Sequence, residues 1–220
     1  MDQEEFTKRI SEMKTDIFPL DKMLPLASVY KIFKDLYEKA PLKSTFLDNS
    51  QYKRLREGYF GLFAAAALNH WENKEHFMTF PTGPENDINI LSVRDATAKI
   101  PLFNKMVLDV KEFTDDYKKP FSDFVEEKLA PKINIYSIIL GSHRDINFRP
   151  LYDLVIAKNG LTTYIVTAAD PIDIDWGVGV VTMFSPTIEP MQLRVSLREA
   201  LPIDEGPSVI FHDKLRDRLA

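Results

Sequence analysis

Residues 52–72 place the strongest constraint on how this 220-residue chain can fold. Leu55, Tyr59, Leu62, Phe63 and Ala66 recur at helical spacing along one stripe, and Ala64, Ala65, Ala67 and Leu68 make the other faces apolar too. A helix that is hydrophobic all round has to be covered on every side. The spacing therefore predicts a buried helix with other layers built around it. At about 100° per residue, Glu57, Gly61, Ala64, Ala65 and Leu68 share a face of small side chains, which lets a sheet approach closely. Glu57 falls on that inward face. A carboxylate there is costly unless it is paired, hydrogen-bonded or bound to a cation.

Upstream, Phe6, Ile10 and Met13 predict a short helix over 3–14. Val29, Ile32, Phe33, Leu36 and Tyr37 predict a second over 26–37, closed by Pro41. With a polar linker at 43–51 behind them, these form an N-terminal helical cap over residues 1–50. Downstream, Phe77–Phe80 reads as a strand, Pro81-Thr82-Gly83-Pro84 as a turn, Asp87–Ile90 as a second strand, 94–104 as a polar connector and Met106–Phe113 as a third strand. Phe121, Phe124, Val125, Lys128 and Leu129 then keep helical spacing up to Pro131. The apolar run Ile133–Leu140 predicts a strand covered on both faces. Helix, three strands, helix, strand is the order of an α/β sandwich with a mixed sheet, here over residues 51–145.

Residues 146–220 read as a β-rich C-terminal extension of the same domain. Leu151–Ala157 and Leu161–Ala168 flank Lys158-Asn159-Gly160, and Asn-Gly predicts a hairpin, with a helix for the first segment as the alternative. Val178–Phe184 and Met191–Val195 read as further strands, and Asp213–Ala220 as a charged terminal helix.

Composition narrows the function classes. Hydrophobic residues make up 45% and charged residues 28%, which is ordinary for a globular domain. The absence of cysteine excludes a disulfide framework, thiolate metal sites and a cysteine nucleophile, and fits a cytoplasmic protein. The acidic start Met1-Asp2-Gln3-Glu4-Glu5 is unlike a secretory signal, and no apolar run approaches the ~20 residues of a membrane span. A net charge of -5 argues against a general polyanion binder but allows a locally positive cleft.

The residues that carry chemistry cluster around the second and third strands. Residues two apart in a strand share a face, so Asp109 and Lys111 project together, with Val107 and Phe113 on their side. Asp87 opens the neighbouring strand, and Glu57 comes from the buried helix. Two carboxylates and an ammonium so arranged suit a divalent cation and a positioned water.

Glu57, Asp87 and Asp109-Val110-Lys111, in that element order, resemble the PD-(D/E)xK nuclease superfamily, the restriction-endonuclease-like fold with its αβββαβ core. The resemblance covers roughly residues 52–140, and Asn86 stands where the family motif has proline. It implies that Asp87, Asp109 and the Val110 carbonyl hold Mg²⁺ or Mn²⁺, and that Lys111 orients or helps deprotonate the attacking water. It implies that Glu57 hydrogen-bonds water at the metal or helps hold a second ion. The implied activity is phosphodiester hydrolysis, with DNA as the expected partner and a homodimer or a recruiting protein as further partners. Lys118, Lys119, Arg144 and Arg149 are the candidate substrate-binding cations, with His143 beside them. The alternative is a binding or assembly protein that keeps this fold without catalysis, where Lys111 serves only a salt bridge to Glu112 or Asp87.

Two other clusters read as structural. His70, Glu72 and His76 lack the spacing of a zinc motif and suit a polar helix end. Asp170, Asp173 and Asp175 before Gly177 do not match a calcium loop and read as an acidic turn. No nucleophile elbow, Walker loop or dinucleotide fingerprint occurs.

Overall fold

The computed structural model describes residues 23–39, 53–81, 87–95, 102–114, 117–143, 146–169 and 177–201. The expected helix at 3–14, the linker at 43–51, the acidic run at 170–176, Arg144 and the terminal helix at 213–220 lie outside these. The described elements are strand β1 (Leu24–Pro25), helix α1 (Leu26–Lys39), helix α2 (Lys53–Glu72), β2 (His76–Thr79), β3 (Ile88–Asp95), β4 (Leu102–Glu112), helix α3 (Phe121–Phe124) running into a π turn (Val125–Leu129), β5 (Ser137–Ser142), helix α4 (Arg149–Ala157), β6 (Thr163–Ala168), β7 (Val178–Ser185), β8 (Ile188–Ser196) and the single turn α5 (Leu197–Ala200).

All eight strands form one mixed sheet in chain order. β1 to β4 are antiparallel, β4, β5 and β6 are parallel, and β6 to β8 are antiparallel again. Parallel neighbours need a crossover, and α3 with its π turn, then α4, supply the two.

Side-chain alternation splits the core into two layers. Leu108, Val110, Ile139, Tyr164 and Val166 face α1 and α2. Phe113, Ile138, Leu140 and Ile165 face α3 and α4. The chain is thus a mixed α/β fold with helices on both faces of the sheet, and the C-terminal strands continue that same sheet.

Helix α2 is buried as its composition requires, from Leu55 through Leu68 on its apolar positions. It touches strands β2 through β8 on one side and α1 on the other, with Phe33 of α1 stacked on Tyr59 at 4.8 Å between ring centroids. The small face does bring the sheet close. A Cβ added at Gly61 would lie 2.5 Å from Ile88 Cδ1 and 2.6 Å from Met78 Cε. On β5, the face of Gly141 is filled by the Phe60 ring of the same helix.

Three expectations are corrected. The strand expected over Ile133–Leu140 begins at Ser137, because the chain winds on after the π turn. Ile133 N–H donates to Leu129 O, and Ile135 and Tyr136 N–H both donate to Lys132 O. Asn159-Gly160 does not close a hairpin. It ends α4 in a left-handed cap, with Asn159 at φ 49° and the Gly160 N–H donating to Val155 O at 2.8 Å. The connector expected at 94–104 is shorter, since β3 runs to Asp95 and β4 starts at Leu102. Ladder pairs such as Ser92–Asn104 and Leu91–Lys105 draw polar residues into the strands.

The two close-approach glycines differ in what a methyl group would displace. Gly141→Ala should lower the urea midpoint by an amount worth about 1–3 kcal/mol, because a buried aromatic ring must move as a body. Gly61→Ala should be near neutral, since the ends of Ile88 and Met78 can shift and the helix gains up to ~1 kcal/mol in propensity. Equal midpoints for Gly141→Ala and wild type would contradict this account of the packing.

Candidate active site

The site lies where β3 stops pairing with β4. Ile88 is the first β3 residue in register, opposite Leu108, so the last residues of β4 run on without a β3 partner. Asp87 covers this step. Its N–H donates to Leu108 O at 3.1 Å, and its Oδ2 accepts the Val110 N–H at 2.8 Å. An edge amide that the ladder would leave open is thereby satisfied by a carboxylate.

β4 sends alternate side chains to opposite faces. Asp109 and Lys111 point to the α3 side and Glu112 to the α2 side. Asp109 is buried. The Lys111 Nζ lies 2.7 Å from Asp109 Oδ2 and 3.8 Å from Asp87 Oδ2, and donates to the Val110 carbonyl at 3.1 Å. One ammonium thus sits among three hard oxygens, from Asp87, Asp109 and Val110. Its salt bridges are to Asp109 and Asp87, not to Glu112, because neighbouring residues of a strand face opposite ways.

Two lysines outside the motif complete the cluster. Lys132, in the turn after the π helix, lies 2.6 Å from Asp109 Oδ1. Lys53, one turn before Glu57 on α2, lies 3.0 Å from Glu57 Oε1 and 4.0 Å from Asp87 Oδ1. Glu57 is buried on the inward face as its position requires, and Lys53 links it to Asp87. The Glu57–Lys53 pair was legible as an i, i+4 spacing. Nothing local marks Lys132.

On the other face of β4, Glu112 accepts from Arg56 Nε at 2.8 Å and has His143 Nε2 at 3.6 Å. Burial raises the Glu112 carboxyl pKa, but the hydrogen bonds and charges of His143 and Arg56 outweigh it and hold it below its ordinary value. His143 Nδ1 lies 3.2 Å from Ala168 O, and its ring lies 5.3 Å from that of Phe60. With Nδ1–H donated to that carbonyl, Nε2 can donate to Glu112 only when the imidazole is protonated. A cavity of about 110 Å³ opens beside this pair, lined by Lys53, Arg56, Glu57, Phe60, Val110 and Glu112.

The outer cations are answered locally. Lys119 pairs with Glu127 on the π turn, Lys118 is exposed, and Arg149 pairs with Asp153 at 2.8 Å and lies over the Tyr152 ring. His76, the first residue of β2, is buried against the end of α2, with Nδ1 3.0 Å from Asn69 Oδ1 and Nε2 3.5 Å from Glu72. Burial pushes its pKa down, while His70 is exposed.

No protein-family model, curated protein or solved structure matches this chain. Among the described residues, no helix is long and apolar enough to cross a membrane. No group of three or more His, Cys, Asp or Glu side chains there is set to hold a metal ion. The donors at the site are fewer and of another kind: two aspartates and a main-chain carbonyl. They suit Mg²⁺, which binds through one or two carboxylates and keeps several waters.

Glu112 gives this end of the sheet a pH signature. A carboxyl whose folded pKa lies below its unfolded value of 4.5 contributes stability above that pH and loses it as pH falls through the folded pKa. Glu112→Gln should flatten that part of the stability profile below pH 4.5. Unfolding midpoints that follow the wild-type acid limb in the variant would show that Glu112 does not contribute to it.

Proposed function

We propose that the chain is a metal-dependent nuclease of the restriction-endonuclease-like kind, hydrolysing phosphodiester bonds in DNA. The observation that carries this reading is the Lys111 ammonium held among Asp109, Asp87 and the Val110 carbonyl at the point where β3 and β4 part. The element order from α2 to β5 supports it: a helix, three antiparallel strands, a helix and a strand parallel to the third. That is the αβββαβ order which the PD-(D/E)xK resemblance implies.

In this reading Asp87, Asp109 and the Val110 carbonyl hold the Mg²⁺. When bound, the ion supplies a Lewis acid that polarises the phosphoryl group and neutralises charge on it. Lys111, held in place by Asp109, hydrogen-bonds the incoming water and offsets negative charge on the phosphoryl oxygens as the new P–O bond forms. The attacking water gives up its proton to solvent, the ester P–O bond breaks, and the leaving alkoxide takes a proton from solvent. Glu57 accepts a hydrogen bond from water on the α2 side, and Asp87 keeps the end of β4 in place through the Val110 N–H.

One observation favours a second reading, a binding or assembly protein without catalysis. Each of the three carboxylates already has an ammonium near it, from Lys53, Lys111 or Lys132. With a net charge of -5, the chain has no general excess of positive charge for a nucleic acid. Calorimetric titration with Mn²⁺ separates the two, since a purely structural ion-pair cluster takes up no metal.

Asp109→Asn and Lys111→Met should each cut Mg²⁺-dependent cleavage of duplex DNA by at least about a hundredfold. Both variants should retain the wild-type circular dichroism spectrum. Wild-type protein that cleaves no nucleic acid with any divalent metal would sink the nuclease reading.

A further inference from the structure

The second lysine on Asp109 has no part in the hydrolysis proposed for Lys111 and the metal. Asp109 is 3% exposed, and each of its oxygens faces a different ammonium, Lys111 at 2.7 Å and Lys132 at 2.6 Å. A buried carboxylate needs compensation, and one ammonium would supply it. Lys132 is therefore in excess for Asp109 itself.

Its placement depends on the π turn. Ala130 N–H donates to Val125 O at 2.8 Å, five residues back rather than four. One extra residue in a turn rotates the residues after it by about 100°, which carries position 132 around to the sheet. The backbone there is held, with Lys132 N–H on Leu129 O at 2.9 Å and Lys132 O accepting from Ile135 and Tyr136. The side chain is less confined, at 36% exposure against 22% for Lys111, which also donates to the Val110 carbonyl. The end that meets Asp109 is thus more open to solvent than Lys111, on a fixed base.

Charge balance gives the consequence. Glu57, Asp87 and Asp109 are offset by Lys53, Lys111 and Lys132, so a divalent cation would leave the cluster with two positive charges in excess. A phosphodiester anion, with its single negative charge, would offset one of the two.

We propose that Lys132 is an exchangeable counter-ion: it holds Asp109 while the site is free of metal, and transfers to a substrate phosphate when a divalent cation takes the carboxylate. This rests on the reading of Asp87 and Asp109 as metal ligands. It makes Lys132 a competitor of the metal without substrate and a ligand of the substrate with metal. Metal and nucleic acid then strengthen each other's binding.

The test is Mn²⁺ calorimetry on the full chain, alone and with a saturating short phosphorothioate-linked DNA duplex, which resists hydrolysis. Alone, Lys132→Met should bind Mn²⁺ about tenfold more tightly than wild type. With duplex, wild type should gain Mn²⁺ affinity, and Lys132→Met should lose most of that gain. Lys132→Gln, which keeps a hydrogen-bond donor for Asp109 without the charge, should behave like Lys132→Met and serves if the methionine variant fails to fold. Unchanged or weaker Mn²⁺ binding in the variants, with wild type binding and cleaving normally, would overturn the counter-ion role and leave the nuclease reading standing. Failure of wild type and both variants to bind Mn²⁺ would overturn both.

Discussion

Burial of α2 sets the arrangement of the elements around it. A helix with leucine, phenylalanine and alanine on every face cannot lie on a surface. Here it is enclosed between α1 and the strands from β2 to β8. Its small face at Gly61 lets β2 and β3 approach, and Phe60 fills the place left open by Gly141 on β5. That depth of packing carries Glu57 into the interior beside the end of β4. Tyr59 reaches further, with its hydroxyl donating to Ala169 O and accepting the Gly177 N–H, so the same helix ties down both flanks of the segment between β6 and β7.

The site is a consequence of strand ends that do not match. β3 is shorter than β4 at this end, so β4 needs a partner for the Val110 amide, and the Asp87 carboxylate provides it. Asp87 is thereby held near the acid and the lysine that β4 alternation places on one face. Burying Asp109 then demands positive charge close by, which Lys111 and Lys132 meet. The oxygens and the ammonium groups that a phosphoryl-transfer site would use are brought together for reasons that are first structural. Their use in catalysis is the proposal, and the charge balance of the cluster is what couples metal to substrate in it.

Much of the fold was legible in the residues. The stripes of α1 and α2, the strands from β2 to β4 and the two C-terminal strands follow from helical or alternating periodicity. The failures share a cause. Ile133-Asn134-Ile135 alternates as a strand would, but the chain there turns once more, and Ile135 is left 61% exposed. Asn159-Gly160 suits both a hairpin and a helix stop, because each needs backbone at positive φ. Periodicity alone cannot tell these apart, since the choice depends on what the segment packs against.

Residue spacing was enough to bury α2, to turn Glu57 inward and to put Asp109 and Lys111 on one side. These depend on residues within a few positions of each other, where helix and strand geometry set direction. Which charges meet was settled by the way strands and crossovers assemble. Lys132 reaches Asp109 across 23 positions and Arg56 reaches Glu112 across 56. Those contacts exist because the sheet keeps its strands in chain order and the π turn rotates position 132 toward β4. Coulomb energy depends on distance in space, and that distance is set by crossovers and registers that no local pattern encodes.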